Sequence, residues 1–159
     1  SAGSALVVGG SPGFSGAPLL AATAAQRFGA GLVTVLTPEG VHRLVGGRPS
    51  GVISRGIGSS DRFAPSDVAE VLQVGTRFDV MVLGPGLGVD VDRFVQDLVA
   101  AWDKALVLDA DGLNSLGGPD PVAGRSAPTV HPKPRVYQAF WVDSVNRICE
   151  VLERPASFT

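Results

Sequence analysis

The sequence predicts an α/β fold, with a mostly parallel sheet between two layers of helices, and two observations support this prediction. First, short apolar runs end at glycine-rich or acidic loops, at Ala5–Val8, Val80–Leu83 and Ala105–Leu108. Second, segments with helical spacing separate these runs, so the chain repeats a strand–loop–helix–strand unit. In such a sheet, ligands bind beyond the carboxyl ends of the strands.

The first predicted unit covers residues 5–36. Its elements in order are strand Ala5–Val8, loop Gly9–Gly16, helix Gly16–Phe28 and strand Leu32–Leu36. Ser15 is suited to cap the helix, and Gly29 is suited to the position after its end. Leu20, Ala24 and Phe28 share one helix face. The many alanines would let this helix lie close to the sheet.

The next segment, Pro38 to Ala64, has a weaker pattern. It predicts a short helix at Val41–Val45, a short strand at Gly51–Arg55 and a polar loop at Gly56–Arg62. Glycine and polar residues interrupt the periodicity here, so these boundaries rest on short runs alone.

The second predicted unit is more regular. Ser66 would cap a helix that runs through Val74 and ends at Gly75, before the strand Val80–Leu83. A helix is then predicted from Asp90 to Trp102, and the strand Ala105–Leu108 follows. The apolar residues of this helix fall on one side, namely Phe94, Val95, Leu98 and Trp102.

The character of the chain changes after Asn114. Gly117–Pro134 is rich in glycine and proline and is predicted as a loop. Tyr137–Arg154 resumes helical spacing, with a packing stripe formed by Trp141, Val145, Ile148 and Leu152. We therefore expect an α/β domain over residues 1–134 and a separate helical segment over residues 135–159.

Composition limits the classes of function. The chain has 159 residues, 45% hydrophobic and 18% charged, which suits one globular domain. A net charge of −2 offers no basic surface for nucleic acid or for an anionic membrane. No apolar run approaches the roughly 20 residues that a membrane-spanning helix needs. The single cysteine, Cys149, gives no internal disulfide, and we expect a cytoplasmic protein in which Cys149 and His42 are structural.

Glycine is unusually frequent, at 21 residues, and it clusters between the periodic segments. Glycine-rich turns at the ends of buried strands can bring backbone amides to a phosphate group. We therefore expect a nucleotide or dinucleotide site at these turns. A generic dinucleotide dehydrogenase is a weaker alternative, because Gly9–Ala17 does not spell the Gly-x-Gly-x-x-Gly fingerprint.

Four phrases, taken together, make the sequence recognisable. They are Gly9–Ala17 (GGSPGFSGA), Phe28–Val35 (FGAGLVTV), Val82–Gly88 (VLGPGLG) and Leu108–Asn114 (LDADGLN). In this order they closely resemble the ATP- or ADP-dependent NAD(P)H-hydrate dehydratases, which have a ribokinase-like fold. The resemblance extends over about residues 5–132, and Phe14 stands where tyrosine is usual.

The resemblance implies a repair reaction. ATP or ADP, with Mg²⁺, phosphorylates the hydroxyl group of hydrated NADH or NADPH, and elimination of phosphate restores the cofactor. It also implies a homo-oligomer, with a tetramer as the expected state.

The resemblance also implies cofactor-binding residues. Ala17 ends the first phrase, Gly86 and Gly88 belong to the third, and His131 matches a family histidine that touches the substrate. The match around His131 is partial, because Val130 replaces a proline, and a solvated loop histidine is the alternative. No catalytic residue or metal ligand is assigned.

The acidic phrase admits two interpretations. Asp109 and Asp111 follow a strand, where carboxylates suit a hard cation bound together with phosphates, or would orient the substrate hydroxyl. Alternatively, Asp111 caps the turn or the next helix. Asn114 is either a cap or a polar contact with the ligand.

Two family phrases do not occur in this sequence. One is a Lys-Gly phrase of the nucleotide site, and the other is Gly-Gly-Thr-Gly-Asp, which supplies the catalytic aspartate and an anion hole. We expect either a truncated or rearranged chain, or family segments that lie outside this sequence. The alternatives to a dehydratase are a noncatalytic nucleotide-binding or assembly module and a small-molecule kinase of the same fold, which the four phrases fit less well.

Overall fold

Six parallel strands form the centre of the protein in the computed structural model, which describes residues 2–46, 51–118 and 120–130. The strands are β1 (Ser4–Val8), β2 (Leu32–Pro38), β3 (Ile53–Ile57), β4 (Val80–Leu83), β5 (Ala105–Leu108) and β6 (Thr129–Val130). Their order across the sheet is β3-β2-β1-β4-β5-β6. The strand order reverses between β1 and β4, and a crevice is expected at such a point.

Helices cover both faces of the sheet. They are α1 (Gly16–Arg27), α2 (Glu39–Val45), α3 (Val68–Gly75), α4 (Asp92–Ala101), α5 (Asp111–Asn114) and α6 (Asp120–Ala123), with a 3-10 turn at Pro65–Asp67. Side chains alternate along each strand, so Val7 packs towards α1 and Leu6 towards α3 and α4. The prediction of a three-layer α/β fold is confirmed.

The α1 side of the sheet has a thin core. Ala21, Ala22 and Ala25 are buried against small aliphatic residues of the strands, which confirms the close approach predicted from the alanines. The face shared by Leu20 and Phe28 points the other way, since these side chains are 56% and 51% exposed. Helix packing here is decided by the small side chains, because only they let the backbone approach the sheet.

The other side of the sheet has the larger core. The predicted stripe of α4 is buried, comprising Phe94, Val95, Leu98 and Trp102. Phe63 stacks on Phe94 with ring centroids 4.6 Å apart. Trp102 donates its indole N–H to the carbonyl oxygen of Ala105 at 2.9 Å, so the ring is buried without losing its hydrogen bond.

Several predicted element ends are wrong by a few residues. The strand predicted at Gly51–Arg55 is β3, Ile53–Ile57. Ser66 lies inside the 3-10 turn and does not cap α3. Asp67 occupies the position before α3, and its side chain closes the 3-10 turn instead, because its Oδ2 accepts the backbone N–H of Ala64 at 2.8 Å.

Two further differences concern loops. Asp90 does not begin α4, because its φ of +61° is left-handed, and the helix starts at Asp92. The loop predicted at Gly117–Pro134 contains α6 and β6, and β6 pairs with β5 as the outer strand. Ser15 stands at the start of α1 as predicted, but its side chain makes no capping hydrogen bond.

The predicted helix at Tyr137–Arg154 lies outside the described residues, as does His131. The division into segments 1–134 and 135–159 therefore stays a prediction. Within the described ranges, no helix has both the length and the apolar character that crossing a membrane requires.

Candidate functional site

Three loops meet at the carboxyl ends of β1, β4 and β5. We name them the first loop (Gly9–Gly16), the second loop (Gly84–Gly88) and the third loop (Asp109–Asn114). Because β1 and β4 are adjacent and their helices lie on opposite faces, the first and second loops border the crevice where the strand order reverses.

Hydrogen bonds fasten the first loop to the second. The backbone N–H of Gly10 donates to the carbonyl oxygen of Pro85 at 3.0 Å. The hydroxyl of Ser11 donates to the carbonyl oxygen of Gly86 at 2.8 Å, and Ser11 is only 1% exposed. These bonds hold the two loops in one fixed arrangement before any ligand binds.

Glycine is required at position 86 by close approach. Its φ is +67°, and a Cβ atom there would lie 2.5 Å from the carbonyl oxygen of Phe14 and 3.1 Å from the Cβ of Ala17. Gly86 and Ala17 are therefore neighbours, although 69 positions apart by numbering (86 − 17). The structure brings together two residues that the sequence predicted as cofactor contacts.

Asp111 links the third loop to the second. Its Oδ2 accepts the backbone N–H of Gly88 at 2.9 Å, and its Oδ1 accepts the side-chain amide of Asn114 at 3.4 Å. Asp111 is half-buried and is the first residue of α5, whose N-cap position is held by Ala110, so Asp111 is not the N-cap of this helix. Its role towards a ligand stays a prediction.

The backbone beside Asp111 is strained. Ala110 has φ +44° and ψ −117°, a region that residues with a side chain rarely adopt. Strain of this kind costs about 1–3 kcal/mol and is concentrated at functional sites. The strained peptide holds Asp109 and Asp111 on the same short turn.

The amide hydrogens do not all have the role that the sequence suggested. The glycine-rich turns predict backbone N–H groups that are available to bind a phosphate group. The N–H groups of Gly10 and Gly88 instead donate to protein acceptors. For these two glycines the required property is the absence of a side chain, which lets the loops pack against each other.

The side chains of the described residues give little support for a Mg²⁺ site. Over residues 2–46, 51–118 and 120–130, no three acidic, histidine or cysteine side chains converge to hold a metal ion. Both oxygens of Asp111 already accept protein hydrogen bonds. This arrangement suits positioning of the second loop better than ligation of Mg²⁺.

The structure identifies site residues that the sequence did not. Arg62 donates from Nη1 to the carbonyl oxygen of Val89 at 3.3 Å, and Nη1 lies 3.0 Å from the position of a Cβ on Gly88. Thr37 lies against Gly10, and its buried hydroxyl has no hydrogen-bond partner in the described part of the chain. Nothing in the local sequence marks either residue, because both contacts join positions far apart in the chain.

A groove of about 370 Å³ lies elsewhere, between β2, β3 and α3. Its lining includes Leu32 and Ile53, the first residues of their strands, and Arg77 before β4. It therefore opens towards the amino ends of the strands, whereas the three loops lie at the carboxyl ends. The predicted site residues that fall in the described ranges do not line it.

Comparison with known proteins identifies the family. A family model described as NAD(P)H-hydrate dehydratase matches residues 5–138, which is most of the chain. The chain belongs to the NAD(P)H-hydrate dehydratase family. Among relatives, a bifunctional NAD(P)H-hydrate repair enzyme of Salinibacter ruber is 42% identical over 123 residues, covering 74% of this chain and 23% of that protein.

Other members of the NAD(P)H-hydrate dehydratase family give the same result. The corresponding enzyme of Hyperthermus butylicus is 32% identical, and the matched region covers 98% of this chain and 30% of that protein. The chain thus spans about a quarter of the curated relatives it matches. Three of the four phrases form the three loops, and the remaining phrase, Phe28–Val35, joins α1 to β2.

Solved structures confirm the ribokinase-like fold. A ribokinase-like protein of Enterococcus faecalis superposes with a TM-score of 0.62 at 22% identity, over 81% of this chain and 44% of that chain. The ADP/ATP-dependent NAD(P)H-hydrate dehydratase of Bacillus subtilis, co-crystallised with ATP and Mg²⁺, gives a TM-score of 0.53 at 25% identity over the same shares, 81% and 44%. The chain therefore spans less than half of these solved chains.

Proposed function

We propose that this protein acts in NAD(P)H-hydrate repair and that this chain supplies the part of the dehydratase that holds the hydrated nicotinamide cofactor. The observation that carries the proposal is the convergence of Ala17, Gly86, Gly88 and Asp111 at the reversal of strand order. In open parallel sheets, dinucleotides bind beyond the carboxyl ends of the strands where the strand order reverses. The activities for which the relatives are named supply the substrate class.

The proposed ligands are hydrated NADH or NADPH together with ATP or ADP. The B. subtilis relative was co-crystallised with ATP and Mg²⁺, which supports a nucleotide as the second ligand. Asn114 lies beside Asp111, is exposed, and is proposed as a polar contact. His131 is carried over from the family phrase only, and its role rests on the sequence. Cytoplasmic location and a homo-oligomeric state, with a tetramer expected, also stay predictions.

The experiment mixes the protein with hydrated NADH and either ATP or ADP and follows the return of reduced-nicotinamide absorbance. Recovery of absorbance supports the repair reaction. Saturable binding of hydrated NADH without recovery supports the noncatalytic binding module, in agreement with the absent Gly-Gly-Thr-Gly-Asp phrase. Failure to bind either the hydrated cofactor or the nucleotide overturns the proposal.

A further inference from the structure

Arg62 places a guanidinium group against the second loop. The N–H of Gly88 points at Asp111, whereas the direction a side chain would take from Gly88 leads to the hydroxyl of Ser11, at 2.8 Å, and to Nη1 of Arg62, at 3.0 Å. Gly88 therefore lies between a carboxylate on one side and a cation on another.

Arg62 differs in its charge environment from Arg43, Arg55 and Arg93. It is half-buried, and no carboxylate of the described residues lies within 4.0 Å of its guanidinium. Arg43, Arg55 and Arg93 each pair with an acidic side chain at the surface. A cation that is partly withdrawn from water and has no carboxylate within ion-pair distance is stabilised when an anion binds beside it.

The guanidinium of Arg62 also has more N–H donors than it has acceptors among the described residues. It carries five N–H groups, and within the described residues the carbonyl oxygen of Val89 is the acceptor that its side chain reaches. The planar fork matches the oxygens of a phosphate group and binds them with two parallel hydrogen bonds.

We propose that Arg62 is a phosphate-binding residue of the cofactor site. It contacts a phosphate of the hydrated dinucleotide or of the phosphoryl donor, and Asp109 and Asp111 face the uncharged part of the ligand, because carboxylates repel phosphate. This assignment rests on the proposed function, and it predicts on which side of Gly88 the phosphates lie.

The test measures dissociation constants by calorimetry for hydrated NADH, hydrated NADPH and ADP. Arg62→Gln should weaken binding of at least one of these ligands by about 10-fold or more, and Arg62→Lys, which keeps the charge, should restore part of the loss. Arg27→Gln is the matched control, because Arg27 is exposed in the last turn of α1, at the opposite edge of the sheet. It should bind as the wild type does.

Comparison of the three ligands identifies which phosphate group Arg62 binds. A loss confined to hydrated NADPH assigns Arg62 to the 2′-phosphate, an equal loss for both dinucleotides assigns it to the pyrophosphate, and a loss for ADP assigns it to the donor. Equal binding by wild type and Arg62→Gln overturns this inference and leaves the proposed function standing. The inference is also overturned if Arg62→Lys binds the ligands as weakly as Arg62→Gln does and both variants have an equally lowered melting temperature without ligand. Wild-type protein that binds none of the three ligands overturns both.

Discussion

Gly88 combines two separate constraints at one residue. Its φ of +78° is a left-handed conformation, and the space where a side chain would stand is occupied by Ser11 and Arg62. The first constraint concerns the stability of the folded chain. The second concerns the shape of the site, since a displaced Arg62 or Ser11 changes what the second loop presents to a ligand.

Replacement of Gly88 by alanine should therefore affect stability and binding differently. We expect Gly88→Ala to lower the free energy of unfolding by about 1–2 kcal/mol because of its positive φ. It should also weaken binding of hydrated NADH. Gly29→Ala is the control, since Gly29 has φ +101° with no atom within 4 Å of its Cβ position. Urea unfolding should show a larger loss of stability for Gly88→Ala than for Gly29→Ala, because only the Cβ at position 88 would displace Ser11 and Arg62. Calorimetry should show weaker binding of hydrated NADH for Gly88→Ala alone, and an equal loss of affinity in both variants would contradict this account.

The two serines of the first loop provide a second comparison. Ser11→Ala should destabilise the protein by about 1–3 kcal/mol, because it leaves the carbonyl of Gly86 without its buried donor. Ser15→Ala should change stability by less than about 0.5 kcal/mol, because Ser15 makes no capping hydrogen bond. Thermal unfolding of the two variants tests the comparison, and equal melting temperatures would show that the Ser11 bond is not stabilising.

At the scale of elements, the sequence predicted strands better than helix faces. Val80–Leu83 and Ala105–Leu108 are correct at both ends, because a short apolar run between polar residues has one plausible register in a buried sheet. The outward face of α1 was not predictable from hydrophobicity. Leu20 and Phe28 are more apolar than alanine, but the helix lies too close to β1 and β2 for large side chains between them.

The contrast between α4 and α1 gives a test of packing. Leu98 of α4 is fully buried, so Leu98→Ala should lower the free energy of unfolding by about 2–5 kcal/mol. Leu20→Ala on α1 should cost less than about 1 kcal/mol, since that side chain is 56% exposed. Urea unfolding checks both values. A large effect at Leu20 would mean that the outer face of α1 is covered in solution.

The amino ends of β1 and β4 are joined by Asp79 and Ser4. Oδ2 of Asp79 accepts both the backbone N–H and the hydroxyl of Ser4, each at 2.8 Å. These bonds, the backbone N–H first, hold the pKa of Asp79 below its ordinary value of 3.8. Because the folded-state pKa is the lower one, the carboxylate stabilises the fold above the ordinary pKa, and this contribution disappears as the pH falls through the folded-state pKa.

Asp79→Asn should therefore be less stable than wild type at neutral pH, and the difference should shrink below a pH of about 4. Ser4→Ala, which removes one of the two donors, should give a smaller change of the same kind. Melting temperatures measured over a pH series check the expectation. A difference between Asp79→Asn and wild type that stays constant with pH would show that ionisation of Asp79 does not contribute.

At the scale of the whole molecule, the sequence predicted where the site is but not how it is held. The three loops lie together because all strands are parallel and β1, β4 and β5 are neighbours in the sheet. The part played by Arg62 was not predictable, since it depends on the path of the chain after β3, where the sequence pattern is weak. The bonding of Gly88 to Asp111 was likewise hidden, because a glycine-rich turn has the same sequence whether its amides meet a ligand or a neighbouring loop.

The architecture places the three loops and the groove at opposite edges of one sheet. The three loops lie at the carboxyl ends of the strands, and the groove lined by Leu32, Ile53 and Arg77 lies towards the amino ends. Of the residues carried over from the dehydratase family, those in the described part of the chain lie at the three loops. The account therefore assigns the hydrated cofactor to the loop edge and leaves the groove outside the site.

Amide hydrogen exchange with and without hydrated NADPH tests this assignment most directly, because it reports each segment separately. The account predicts slower exchange in the first, second and third loops when the ligand is bound, with little change in the segments that line the groove. Protection confined to the groove, or binding that leaves exchange of the three loops unchanged, would contradict it.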